Sequence, residues 1–148
     1  EEIEGALKSG KPTHVIHLDI LNFDSYADTV GIVMSEETVR NLGAWLLEAA
    51  RASSGGGAFV GHVGGSDFIA VLSPDHVDHF LGSAETAFDG KRATFPGDPS
   101  SLHLVAAVTS TDGLTLNNGA DELGRRLGRA MKMAKAAGKT GHVVWTPS

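Results

Sequence analysis

Cysteine is absent from the 148 residues. That excludes disulfides, thiolate nucleophiles and cysteine metal ligands, and it suits a reducing, cytoplasmic setting. No run of about 18 apolar residues occurs, so nothing is expected to cross a membrane, and no secretory signal pattern is present. Aromatic residues make up only 6% of the chain, few for a surface on which nucleic-acid bases would stack. Positive charge is also scarce: 12 Lys and Arg face 18 Asp and Glu, a net charge of −6. This balance argues against broad nucleic-acid binding and against contact with an anionic membrane. What is present, 41% hydrophobic and 20% charged residues, describes an ordinary globular chain long enough for one well-buried core. The chain opens on Glu1-Glu2 rather than Met, as expected of a domain from a longer protein with other signalling domains attached.

The strongest local pattern runs from Phe59 to Ser73. Two stretches rich in β-branched and aromatic residues flank Gly64-Gly65, a pair able to hold positive φ, which predicts a hairpin with a tight turn. Ser66-Asp67 then puts a carboxylate at the hairpin tip. Upstream, residues 13–20 form a predicted strand whose alternation sends Ile16, Leu18 and Ile20 to one face and Val15, His17 and Asp19 to the other. A strand ending on Asp19 beside the hairpin tip makes a phosphate- and metal-binding corner conceivable, but with few carboxylates.

Residues 1–12 read as a linker with the end of a short helix (residues 2–9, closed by Gly10 and Pro12), and residues 13–148 as a single domain. Asn22 is expected to cap a helix through Val30, stopped by Gly31. Ser35 is expected to cap a longer one, with Glu36 and Glu37 in its first turn and Val39, Leu42, Leu46, Ala49 and Ala50 as its apolar stripe. Ser53 to Gly57 reads as loop. Ser73-Pro74-Asp75 starts a helix to about Phe88, residues 90–100 and 111–118 are loop, and residues 102–109 are a strand. Residues 119–137 form the most regular helix, ended by Gly138, before a last strand over residues 142–145. Strands interleaved with helices predict a sheet covered by helices, a mixed α/β (α+β) fold of about five strands.

Six of the twelve basic residues lie on or just after the last helix: Arg125, Arg126, Arg129, Lys132, Lys135 and Lys139. A solvated face explains most of them, although Lys135 borders the apolar stripe and can lean over the sheet. A nucleic-acid surface built on this helix conflicts with the acidic total. His76 and His79 have a helical spacing that offers only two metal ligands, a weak site. His62 beside the turn is a residue whose charge changes near neutral pH, although a structural role is commoner.

Four segments together resemble the GGDEF domain, the family of diguanylate cyclases that condense two GTP into cyclic di-GMP. Asp19-Ile20-Leu21-Asn22-Phe23 resembles the family's Asp-Ile-Asp-x-Phe, and Ala27-Asp28-x-x-Gly31 its Asn-Asp-x-x-Gly. His62-Val63-Gly64-Gly65-Ser66-Asp67-Phe68 is similar to Arg-x-Gly-Gly-Asp/Glu-Glu-Phe. Residues 130–139 are similar to Ala-Leu-Tyr-x-Ala-Lys-x-x-Gly-Arg. Each piece is weak alone, but four in order, spanning nearly the whole chain, are specific. The resemblance implies a palm-like nucleotidyl-cyclase sheet flanked by helices.

It also implies a site. Asp19, the Ile20 backbone and Asp67 are the candidate metal ligands, with Mg²⁺ as cofactor if GTP binds; Asp28, Glu36, Lys135 and Lys139 are the candidate nucleotide contacts. No catalytic residue is expected, because the signature Gly64, Gly65, Ser66, Asp67, Phe68 is degenerate. Ser66 stands where the family has a carboxylate that holds metal and helps activate the attacking hydroxyl, and a neutral hydroxyl cannot replace it. Alternation along the strand predicts that Asp67 points away from the side Ser66 faces. Ala27 replaces the guanine-reading Asn, Asp24 replaces a phosphate-contacting Lys, and Glu36 replaces an Asp at one methylene greater length. The inhibitory Arg-x-x-Asp is absent: Arg51 is followed three residues later by Ser54, and the glycine loop there looks lengthened. The resulting expectation is a catalytically inactive signalling or dimerisation module, homodimeric through the full-length protein, with residual guanine-nucleotide binding at most. The alternative is an active or weakly active diguanylate cyclase with a rebuilt metal site. Asp19 has a simpler reading too, as a cap for the turn after its strand.

Overall fold

The computed structural model describes Gly5, residues 11–54 and residues 58–147. The expected helix end at residues 2–9 lies almost entirely outside these, as do Gly55-Gly56-Gly57. Five strands and four α-helices follow in the order β1 (His14–Leu21), α1 (Phe23–Val30), α2 (Ile32–Ser54), β2 (Phe59–Gly64), β3 (Asp67–Leu72), α3 (Val77–Lys91), β4 (His103–Ser110), α4 (Gly119–Ala136) and β5 (Gly141–Val144). The strands make one sheet in the order β2-β3-β1-β4-β5. All neighbours are antiparallel except β4 and β5, which run parallel because α4 carries the chain back across the sheet between them.

The two-residue period of β1 and β4 divides the core in two. Ile16, Leu18 and Ile20 of β1, with Leu104, Ala106 and Val108 of β4, face α2 and α3 and pack with Leu42, Leu46, Phe80, Leu81 and Phe88. Val15, Val105 and Ala107 point the other way, onto Leu123, Leu127, Ala130, Met131 and Ala134 of α4. Both faces of the sheet thus meet helices; β4 is hydrophobic through its middle for that reason, whereas β1 carries His17 and Asp19 on the α4 side. Burying each such leucine or phenylalanine contributes about 1.5–3 kcal/mol. The expected division of β1 into two faces holds, as does the apolar stripe of α2.

Helix starts differ from expectation. Asn22 adopts the left-handed region (φ 67°) and makes no side-chain cap; its Nδ2 instead donates to Ser101 O at 2.8 Å, tying the chain after β1 to the approach to β4. Ser35 does not precede its helix. Gly31, at φ 89°, ends α1 through its N–H to Ala27 O and starts α2 by accepting from Ser35 N at 3.0 Å. The helix thus begins at Ile32, where the exposed Ile32, Val33 and Met34 give no amphipathic signal, and Glu36 and Glu37 fall beyond its first turn. At the other end Ser53 and Ser54 remain helical, their hydroxyls donating back to Ala49 O and Ala50 O at 2.8 Å. Gly138, at φ 69°, closes the last helix as expected.

Candidate functional site

The hairpin turn sits one residue later than the glycine pair suggests. Gly64 pairs with Asp67, so Gly65 and Ser66 occupy the turn, after an irregularity between His62 and Gly64. Gly64 and Gly65 both hold positive φ (141° and 49°), which an L side chain would resist. His62 fixes the turn from the outside: its Nε2–H donates to Gly65 O at 2.8 Å and its ring lies 4.9 Å from that of Phe68.

Placing Ser66 in the turn rather than the strand decides where its hydroxyl goes. Ser66 Oγ donates to Asp19 Oδ1 at 2.5 Å, and Ile20 N donates to the same oxygen at 2.7 Å. Lys135, reaching over the sheet from the last turn of α4, puts its Nζ 3.0 Å from Asp19 Oδ2. Asp19 itself is only 8% exposed. A buried carboxylate is tolerated because its charge is met by an ammonium and two further donors.

Asp67 corrects the alternation argument. Its Oδ1 lies 2.8 Å from His17 Nε2, and His17 shares the face of β1 that carries Val15 and Asp19. Ser66 and Asp67 therefore turn toward the same side of the sheet, because alternation begins only at Asp67, the first residue of β3. His17 is the residue that sequence reasoning missed. Its position two residues before Asp19 puts both on one face, but only the β1–β3 register shows that this face also receives Asp67.

Two cavities adjoin here, sharing Phe23 and Gly65 in their walls. One, of about 360 Å³, is the polar corner and includes Asp19, Ile20, Asp24, Ser66, Asp67 and Lys135. The other, of about 540 Å³, lies between the hairpin and α2, with Phe23, Val39 and Phe68 as apolar walls and Glu36, Arg40 and His62 as polar groups. Of the expected nucleotide contacts, Glu36 lines the larger cavity and Lys135 the smaller, while Asp28 and Lys139 are exposed and line neither. Phe23 and Arg40, which no expectation singled out as contacts, line the larger cavity. His79 is engaged by Ser53, with Oγ to Nδ1 at 2.7 Å. On α4, Arg125 and Arg126 both bind Glu122, and the largely covered Arg126 also lies over the Trp145 ring at 4.4 Å.

The same arrangement of sheet and helices occurs in solved structures. An EAL/GGDEF domain protein from M. capsulatus superposes with a TM-score of 0.76 at 21% identity, over 99% of this chain and 93% of that one. The active GGEEF domain of a diguanylate cyclase from Vibrio cholerae gives 0.73 at 24% identity, over 99% and 94%. The GGDEF domain of DgcB from Caulobacter crescentus, solved in complex with c-di-GMP, gives 0.76 at 16% identity, over 97% and 85%. The fold is that of a GGDEF domain. No family model and no curated protein sequence matches the chain.

A GGDEF fold raises the question of a divalent cation at the corner, and the donor set answers it poorly. Mg²⁺ wants near-octahedral oxygen, usually from carboxylates and waters. Asp19 and Asp67 do share the polar cavity, but Asp19 already accepts from Ser66, Ile20 and Lys135, and Asp67 is tied to His17. Among the described residues, no group of three or more His, Cys, Asp or Glu side chains is placed to hold a metal. The residues present do not fit a bare divalent ion.

Proposed function

We propose that this GGDEF-fold domain is a catalytically inactive signalling or dimerisation module of a larger cytoplasmic protein, retaining at most weak binding of a guanine nucleotide. The observation that carries this reading is the Ser66 hydroxyl donating to Asp19, at the place where the resemblance implies a second carboxylate. Phosphoryl transfer between nucleotides depends on positioning and on charge neutralisation around divalent metal. With a hydroxyl there, the corner has one carboxylate fewer for that purpose. Asp24, a carboxylate in the wall of the same corner, would repel a triphosphate. The larger cavity supports the residual-binding part: it has apolar walls for a planar base and a carboxylate, Glu36, able to accept from ring and amino N–H groups.

The test is incubation of concentrated protein with radiolabelled GTP and Mg²⁺ or Mn²⁺. No cyclic di-GMP is expected, and robust formation of it refutes the reading. Calorimetry with GTP separates weak binding from none. One observation favours a weakly active enzyme with a rebuilt site: Asp67 faces the same side as Asp19. On that second reading Asp19→Asn abolishes turnover, and absence of turnover at every metal concentration ends it.

A further inference from the structure

The corner has a cation of its own. Lys135 holds Asp19 Oδ2 at 3.0 Å, while Ser66 and Ile20 take Oδ1 at 2.5 and 2.7 Å. A carboxylate offers about four lone-pair sites, so these donors leave roughly one. The second carboxylate in the same cavity, Asp67, has its own internal partner in His17. The Ser66 hydroxyl has spent its proton on Asp19 and carries no charge with which to compete for a metal. Any divalent ion approaching Asp19 would meet the Lys135 ammonium head on. The ammonium also sits at the C-terminal turn of α4, where a positive charge is favoured by the helix dipole. Two interactions thus hold Lys135 in place, and neither needs a ligand.

We propose that Lys135 is the resident cation of this corner, standing in the place a divalent metal would need, and that Asp19 is closed to metal while Lys135 holds it. An incoming phosphate can recruit Lys135 only by taking from the buried Asp19 the ammonium that balances its charge, so anion binding and the closed corner exclude each other. The inference deepens the reading of the domain as inactive and rests on it, yet the two can fail separately.

Mn²⁺ added to the 148-residue protein and followed by electron paramagnetic resonance is the direct test. The free-ion signal is expected to stay undiminished up to about 1 mM, a concentration at which weak carboxylate sites fill. Binding lost in Asp19→Asn overturns the proposal; binding that survives that substitution lies elsewhere and is consistent with a closed corner. Folded Lys135→Met is expected to gain Asp19-dependent Mn²⁺ binding by about tenfold or more, the effect of removing one facing positive charge. No gain overturns the role given to Lys135. Should Lys135→Met not fold, amine acylation read by mass spectrometry replaces it. Lys135, exposed like Lys132 and Lys139 but paired with Asp19, should then react more slowly than either, and several-fold faster in Asp19→Asn. Equal reactivity overturns the proposal. Mn²⁺ bound at Asp19 without any dinucleotide formed would sink this inference alone, whereas dinucleotide formation would sink the reading beneath it.

Discussion

Replacing Ser66 by aspartate sets a second carboxylate against one that is already buried. In the native protein Ser66 Oγ donates to Asp19 Oδ1 at 2.5 Å, a hydrogen bond to a charged acceptor. Losing such a bond costs about 1.5–3 kcal/mol. Two like charges about 4 Å apart repel by about 4 kcal/mol at the effective dielectric of a protein surface. Lys135, 3.0 Å from Asp19, offsets part of this by attracting both carboxylates. The net loss in Ser66→Asp is expected to be about 2–4 kcal/mol at pH 7, a fall in Tm of roughly 6–12 °C for a domain of this size. Two facing carboxylates raise one of their pKa values, so the folded state of the variant holds an extra proton. Its deficit should therefore shrink as pH falls toward 5. Millimolar Mg²⁺ should restore part of the Tm of the variant and leave the native protein unchanged. Thermal unfolding by circular dichroism at both pH values, with and without Mg²⁺, reads all of this. A variant as stable as the native protein at pH 7 without metal would refute the account of the corner.

Other consequences are independent of the corner. His142 Nδ1 lies 2.7 Å from Glu85 Oε2, and that hydrogen bond, outweighing burial, raises its pKa above 6.5. The stability this pair adds, about 0.5–1 kcal/mol, is fully present below pH 6.5 and is lost as pH rises through the raised value. His142→Ala should accordingly destabilise the protein at pH 5.5 and much less at pH 9, by urea titration. His14 works in the opposite sense, since burial lowers its pKa and its contribution is lost on acidification; the comparison must be made against the native profile. Phe88 is fully buried between α3 and the sheet, and Phe88→Ala should cost about 3–5 kcal/mol in urea unfolding. Gly97 holds φ 73°, and a Cβ there would lie 2.6 Å from Val30 Cγ1. Gly97→Ala should lower stability by about 1–3 kcal/mol, measurable as a drop in Tm, through backbone strain and the shift forced on Val30.

The elements with a strong period were legible in the chain. The strand around Ile16 to Ile20 reads correctly because its alternation separates the core-facing Ile16, Leu18 and Ile20 from His17 and Asp19, and α4 because Leu123, Leu127, Ala130 and Met131 repeat at helical spacing. Starts without a period were not. The beginning of α2 was missed because Ile32, Val33 and Met34 are apolar yet exposed, so the serine that looked like a cap lies inside the helix. The hairpin was evident from its glycines, but its turn moved by one residue because the strand irregularity after His62 is set by pairing with β3. That single shift reversed the reading of Asp67.

By itself the sequence determined the order of elements, the two faces of β1 and the residue types at the corner, since these follow from spacing and from what each side chain can ionise or donate. It also marked Lys135 as able to lean over the sheet. Only the tertiary structure decided the pairings. Asp19 meets Ser66 across a separation of 47 residues and Lys135 from another element again, while Asp67, in the wall of the same cavity, meets His17. Such partners are chosen by strand register and by the packing of a helix across the sheet, and neither is written in local sequence.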